Sequence, residues 1–294
     1  MTNNFKANKG SYNKPQLSPE EWAAKKQAEK DSVYTLIDET ALEVTASPEK
    51  FKAFLDTQAR MDRYSAANAL LIYKQLPTAT QLKDFNDWTA EDVKINKGSK
   101  SISILEPVEY TKKDGTPGVS YNVKKVFDVS QTTGKRTPTP TVNRDPQKLV
   151  AMMLDSAPVI VETVDDLPFP GMGAMYDNEK QAILVKRGVG DSVAICQCVA
   201  QELAHAQLAV NAEAYSRKDS GFDAVCVGYM LCKKYGVDTQ NFNIANLDRF
   251  KDKEPKEIRS DLSKVRSAMT EIHSHISEEM YRKSQERTKD RDAR

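Results

Sequence analysis

The stretch that most constrains this chain is Gln201-Glu202-Leu203-Ala204-His205. It lies inside an apolar run, 193–210, of Ala, Val, Ile, Leu and Cys with few polar breaks. Such a run reads as a buried helix, and Gly190-Asp191-Ser192 places cap-competent residues in front of it. Residues four apart on a helix share a face, so Gln201 and His205 point the same way with Glu202 beside them. This is the placing of H-E-x-x-H, in which two imidazoles hold zinc and the glutamate activates a bound water. Gln201 stands where the first histidine would be. An amide oxygen is a poor zinc ligand, because zinc prefers nitrogen and sulfur donors. A hydrolytic zinc also needs about three protein ligands and one open position. Two readings stay open. Either Gln201 and His205 form a weakened metal site with Glu202 as catalytic base, or the three side chains satisfy one another, carboxylate to imidazole and amide to either.

The 294 residues suffice for two domains of ordinary size. With 39% hydrophobic and 29% charged residues the chain suits a soluble, partly helical protein. A net charge of +1 offers no global basicity, so any claim for nucleic acid must rest on local charge. Cys196, Cys198, Cys226 and Cys232 all fall in apolar segments and are expected as reduced core thiols. No N-terminal apolar core resembles a signal peptide, and no apolar run reaches the ~18 residues of a membrane span without polar breaks. A cytoplasmic chain without membrane partners is expected.

Residues 1–17 are rich in Asn, Lys, Ser and Gly and are expected to be disordered. Ser18-Pro19-Glu20-Glu21 joins a cap, a first-turn proline and a glutamate three residues on. A helix is predicted from 19 to about 43, with Val33, Leu36, Ile37 and Ala41 at helical spacing. Ser47-Pro48-Glu49-Lys50 repeats the signal before a helix carrying Phe51, Phe54, Leu55 and Met61. Residues 64–72 form a third predicted helix, whose Asn68 is expected to make a buried hydrogen bond that positions the loop at Lys97-Gly98. Residues 101–105 alternate as a strand, Asp114-Gly115 is a hairpin turn, and 121–129 is a second strand.

The Pro/Thr stretch 135–141 reads as a domain boundary. Beyond it the pattern predicts a helix over 145–157, a strand over 159–164, a hairpin turning at Asn178-Glu179, and a helix over 222–235 closed by Lys233, Lys234 and Gly236. In the tail, Ile258, Leu262, Val265, Met269, Ile272, Ile276 and Met280 stand three and four apart, the stripe of a packed helix. His273 and His275 lie off that stripe and are expected to face solvent.

From 94 to 136, nine Lys or Arg stand against four Asp or Glu, with Tyr110, Tyr121 and Phe127 interleaved. A small sheet with basic edges and aromatic faces can stack unpaired bases while cations track phosphates. The same composition also describes an ordinary soluble sheet with solvated lysines.

Several residues, in order and spacing, carry a resemblance. They are Tyr64-Ser65 with Asn68 and Leu70-Leu71, Trp88, Lys97-Gly98 before Ile102 and Ile104, and Phe127 with Gln131-Thr132. Glu202-Leu203-Ala204-His205 follows, then Ala224, Tyr229 and Cys232 with Gly236-Val237-Asp238-Thr239. Over roughly residues 50–250 the chain is similar to the ArdC type of antirestriction protein of conjugative elements. That resemblance implies an α+β fold: an N-terminal single-stranded-DNA-binding α+β domain with a small antiparallel sheet (18–136), a linker (137–144), a zincin-like α+β domain with a degenerate motif (145–250) and a helical tail (251–294). It implies single-stranded DNA as partner, conjugation or DNA-processing proteins as further partners, and a bacterial cytoplasm as setting. The family's third metal ligand, a Glu on the following helix, falls at Val225. Asp223 lies two residues away, a rotation of about 200° on a helix. With Gln201 and Val225 at two of three ligand positions no cofactor is expected, and zinc is the ion the site would take.

Three functions follow. In the first, the chain binds single-stranded DNA and protects transferred DNA. Lys94, Lys97, Lys100, Lys124 and Lys125 neutralise phosphates, Tyr110, Tyr121 or Phe127 stack bases, and Tyr64 and Asn68 belong to the same surface. Trp88 is expected in the core. In the second, the chain is a zinc peptidase using His205 and Gln201 as ligands and Glu202 as catalytic base. In the third, it is a scaffold of a transfer complex that docks through the 258–280 helix.

Overall fold

The computed structural model describes residues 17–135, 146–188 and 190–292. Of residues 1–17, expected to be disordered, all but Leu17 lie outside the described residues, as does the linker expected at 137–144. Serines start the first three helices. Ser18 Oγ accepts from the Glu21 N–H at 3.2 Å while the Glu21 carboxylate accepts from the Ser18 N–H at 2.8 Å, a closed capping box at the head of α1 (Pro19–Thr45). Ser47 and Ser65 cap α2 (Pro48–Arg60) and α3 (Ala66–Gln75). Only the second half of α1 is buried, through Val33, Ile37, Ala41 and Val44, whereas residues 19–28 are all exposed.

Next come β1 (Leu82–Lys83), α4 (Phe85–Ala90), β2 (Ile102–Thr111) and β3 (Pro117–Asp128). The strands form an antiparallel sheet in the order β1-β3-β2. The β2–β3 register runs from Ile102 opposite Val126 to Thr111 opposite Pro117. Gly115 turns the hairpin at φ +81°, a left-handed conformation that glycine adopts without strain. Side chains alternate between faces along a strand. Ile102, Ile104 and Val126 therefore pack on one face, in a small core with Met61, Ile72 and Ala79, while Leu105 and Val123 turn to the main core. Beyond Leu105 the hairpin runs on as a ribbon, with residues 106–111 exposed.

β2 is an edge strand, and α3 closes that edge. The Asn68 amide donates to the Leu105 carbonyl and accepts from the Leu105 N–H, both at 2.8 Å. Gln75, two turns further along α3, treats Ser103 the same way, both bonds at 2.9 Å. Asn68 is buried and hydrogen-bonded as the sequence suggests, but it pins β2 and not the Lys97-Gly98 loop. Two side-chain amides thus imitate a neighbouring strand along Ser103–Leu105 and occupy the edge there. Asn68→Leu strips both partners from Leu105, and buried unpaired backbone groups cost about 1–3 kcal/mol each. A loss of about 2 kcal/mol in urea unfolding is expected. A loss under about 0.5 kcal/mol, the scale of an ordinary surface substitution, would refute it.

The second half is built from α5 (Pro146–Asp155), β4 (Ile160–Val164), β5 (Ala174–Asp177), β6 (Ala182–Lys186), α6 (Ser192–Val210), α7 (Arg217–Tyr235) and α8 (Pro255–Asp292). β4 runs parallel and β5 antiparallel to the central β6. Asp191 caps α6, accepting from the Val193 and Ala194 N–H groups. α7 crosses α6 at Gly228, where an added Cβ would lie 3.2 Å from the backbone N and Cα of Gln201. The four cysteines are free thiols. Among the described residues no helix is long and apolar enough to cross a membrane.

One hydrophobic core serves both halves: Ile37, Phe51, Leu70 and Leu105 share it with Leu149, Val199, Leu231 and Met269. The α8 stripe is the seam, with Ile258, Leu262, Val265, Met269, Ile272 and Ile276 all buried. That apolar face is consumed inside its own chain, which argues against it as the docking element of the scaffold reading of 258–280. His273 corrects a second expectation. It is not solvent-facing: its Nδ1 meets the Tyr235 hydroxyl at 2.7 Å, and burial, reinforced by Lys234, lowers its pKa to about 4.

Candidate functional site

α6 brings Gln201 and Glu202 to a cleft of about 400 Å³, with Val225 of α7 and Gly171–Gly173 ahead of β5 on its walls, while His205, one turn further along α6, does not line it. Glu202 and His205 are buried, and Gln201 is half-buried. Their partners are not one another. The Glu202 carboxylate receives a bidentate guanidinium: Arg217 Nη2 donates to Oε1 at 2.7 Å and Nη1 to Oε2 at 2.8 Å. Oε2 also accepts the Tyr176 N–H at 2.7 Å. His205 Nδ1 meets the Tyr215 hydroxyl at 2.8 Å. Burial, with Arg217 adding to it, drops the His205 pKa to about 3, so the ring is neutral. Burial likewise pushes the Tyr215 phenol up to about 12. The direct bond from carboxylate to imidazole, one of the two readings left open by the sequence, is replaced by two separate locks, Tyr215 from the loop before α7 and Arg217 from its first position.

These bonds also close a strand edge. β5 borders its sheet, and its outward backbone groups are met by side chains of α6 and α7. The Cys198 thiol accepts from the Ala174 N–H at 3.3 Å and donates to the Ala174 carbonyl at 3.4 Å. Glu202 takes the Tyr176 N–H, and Arg217 reaches the Tyr176 carbonyl at 3.4 Å. A chain seeking to pair with this edge would find its donors and acceptors occupied.

The donor set does not fit a catalytic metal. One imidazole nitrogen, an amide and a valine occupy the three positions, and a guanidinium sits on the glutamate that would activate water. Asp223 is turned away, its carboxylate spent on Arg249 at 2.6 Å and Lys264 at 3.1 Å. Among the described residues no group of three or more His, Cys, Asp or Glu could hold a metal ion. No catalytic step is assigned to Glu202.

The expected nucleic-acid residues divide into three places. Tyr64, Asn68, Tyr121 and Lys124 converge on a cavity of about 500 Å³ between the head of α3 and the sheet, where Arg63 and Lys83 join them. Lys124 is bridged to Glu106 at 2.7 Å and Asp84 at 3.2 Å. Arg63 is exposed and has no ion-pair partner among the described residues. α8 fixes this rim, because Arg266 donates to the carbonyls of Asp62 and Tyr64 at 2.9 and 3.1 Å. Lys94, Lys97 and Lys100 lie on a separate loop, stitched to the turn after β3 by bonds such as Asn96 N–H to the Gln131 carbonyl at 2.9 Å. Tyr110 is at the far end of the ribbon, its ring over Gly118. Eight residues separate Ile102 from Tyr110, roughly 27 Å of strand, so Tyr110 and the lysine loop cannot touch one base together.

The register divides the set again. Lys124 shares a face with Ile104 and Tyr110; Tyr121, Lys125 and Phe127 occupy the other. Lys125 is held by Glu29 at 2.8 Å, and half-buried Phe127 gives its carbonyl to the Trp88 indole N–H at 2.9 Å. Trp88 is buried, as expected. Sequence reasoning missed Arg63, Lys83, Tyr215 and Arg217. Arg63 was visible as a cation next to Tyr64 and a helix cap; Tyr215 and Arg217 flank the N-cap of α7, where their spacing carries no signal.

No family profile matches the sequence, and no curated protein matches it. Among solved structures, the chain is similar to the antirestriction ArdC protein from R388 plasmid. The metal-free crystal structure aligns at 15% identity and a TM-score of 0.51 over 83% of this chain and 98% of that one. The Mn(II)-bound structure aligns at 14% identity and the same TM-score of 0.51, over 72% and 85%. At this identity the likeness shows the fold: an ArdC-like α+β arrangement with a C-terminal helical tail.

Proposed function

We propose that the chain binds single-stranded DNA in the groove beside β3, and that it acts in antirestriction, as the protein of similar fold is named to do. The observation that carries this reading is the convergence of Tyr64, Tyr121 and Lys124 on one open cavity with Arg63, which has no ion-pair partner among the described residues. Rings that present a face to solvent stack bases of any sequence, and cations at the rim track the phosphates. Duplex DNA keeps its bases stacked inside and offers such rings nothing to receive. Lys124 is already held by Glu106 and Asp84, so phosphates must compete for it and salt must weaken the complex. The α6 half is proposed to be a hydrolase-shaped body whose cleft is locked by Arg217, with binding as the activity of the whole.

A fluorescent oligonucleotide tests this. The single-stranded form is expected to bind more tightly than its duplex. If about three phosphates are neutralised, affinity falls about 20-fold between 50 and 200 mM salt. Arg63→Glu and Tyr121→Ala, both exposed positions, are each expected to cost about tenfold. Equal affinity for both forms, or none at low salt, defeats the proposal.

A further inference from the structure

The groove does not end at Tyr121. A second cavity, of about 600 Å³, shares Glu106, Tyr121 and Lys124 with the first and is walled on its other side by Trp22, Lys26 and Lys30 of α1. The first turns of α1 have no part in the core: residues 19–28 are exposed throughout, and Trp22 is 57% exposed. A tryptophan this bare on a polar helix carries a large apolar surface, and among the described residues the Lys26 ammonium, 5.9 Å from the ring centroid, lies over it. The overhang is nonetheless held against β3, by Glu29 to Lys125 at 2.8 Å and by Lys30 to Ser120 Oγ at 3.5 Å. Those contacts set the indole across the cavity from Tyr121. Glu29, the acid on this wall, is already paired with Lys26 and Lys125.

We infer that the overhang of α1 is the far wall of the DNA track, with Trp22 stacking a base beyond the one at Tyr121 and Lys26 and Lys30 meeting the phosphates between them. This rests on the proposed binding of single-stranded DNA and extends it to a second, separate subsite. Lys26, Lys30 and Lys124 line one trough with Glu29 and Glu106, which leaves an excess of one cation, and a strand running along it passes from Arg63 to Trp22. A short oligonucleotide fills the first cavity alone, and a longer one reaches both.

Two tryptophans make the test direct, because Trp22 is exposed and Trp88 is buried. Oligothymidylates of four and twelve nucleotides are titrated against the full chain. The longer one is expected to quench tryptophan emission, and the quench is expected to vanish in Trp22→Leu. Trp22→Ala lowers affinity for the longer oligonucleotide about tenfold, Trp22→Phe restores most of it, and neither changes binding of the shorter one. Lys26→Glu with Lys30→Glu weakens the longer one in the same way. If wild type binds single strands but Trp22→Ala keeps full affinity and the quench survives in Trp22→Leu, the inference is overturned while the proposed function stands. If wild type binds neither oligonucleotide at low salt, both fall.

Discussion

Arg217→Ala is expected to lower the stability of the whole chain by about 3 kcal/mol, because it leaves the buried Glu202 carboxylate charged and without its counter-ion. Removal of one partner from a buried pair costs about 3–5 kcal/mol. The lower end applies here, since Arg217 keeps 36% of its side-chain surface in water and screening shrinks the bond it makes. The loss must spread beyond the cleft. Glu202 also holds the Tyr176 N–H, so β5 loosens with it, and α6 belongs to the core that serves both halves. The double variant Glu202→Gln with Arg217→Met separates charge from packing. The amide still accepts from Tyr176, no buried charge remains, and most of the lost stability is expected to return. Urea midpoints of the three proteins decide it: a single variant within about 0.5 kcal/mol of wild type removes the lock from the account. The same lock has a metal corollary. Zinc or a chelator is expected to leave the wild-type Tm where it is, whereas an ion that binds only the native state must raise it. A zinc-dependent rise that disappears in His205→Ala would falsify the closed site.

Much of the fold was legible because it is written in periods and punctuation. The serine–proline starts at Ser18 and Ser47 place the first residues of their helices, Asp114-Gly115 turns its hairpin, and the stripe predicted over 258–280 is buried through Ile276, with Met280 half-buried. The α6 motif was legible to the degree that a helix face is: Gln201 and Glu202 share a cleft with Val225, while His205 lies buried outside its lining. What fills the space between them was not. Tyr215 arrives from the loop before α7 and Arg217 from the first position of α7, and no spacing rule connects either to a helix several residues back.

The charge count over 94–136 met a different limit. Counting sums over a segment, but a strand pair sorts its residues by parity, so Lys124 and Lys125 look identical in the sum and point to opposite faces. Nor does the count register neutralisation, although Glu106, Asp84 and Glu29 hold both of those lysines. Arg63 lies before the segment and Trp22 far before it, so the walls of the groove come from helices that the sheet's own composition does not mention. His273 shows the same limit on α8: it stands off the apolar stripe, yet Tyr235 of α7 lies over it.

Acid is expected to destabilise the chain well before its carboxylates protonate. Two of the three histidines are held neutral in the fold, His205 at a pKa of about 3 and His273 at about 4, against an ordinary value of 6.5. Burial is the main cause for both. Arg217 adds to it at His205, and Lys234 and Arg63 outweigh the pull of Asp62 at His273. The folded pKa lies below the unfolded one, so between those values the unfolded chain binds more protons, and stability rises with pH. The histidine contribution is therefore complete above about pH 6.5 and is lost as pH falls from there toward 3–4. From pH 7 to pH 5 an unfolded histidine gains nearly a full proton that its buried counterpart refuses. This is worth about 2 kcal/mol at His205 and, with 23% of the His273 side chain exposed, about 1 kcal/mol there. Carboxylates contribute little in that window, because unfolded Asp and Glu are still mostly ionised at about pH 5. Urea midpoints at the two pH values measure the sum, a loss of about 3 kcal/mol. His273→Asn should keep the fold and remove about a third of the slope, since His205 continues to titrate with the same sign. A midpoint that does not move from pH 7 to pH 5 would mean that neither ring is sealed from protons in the way their partners Tyr215 and Tyr235 require.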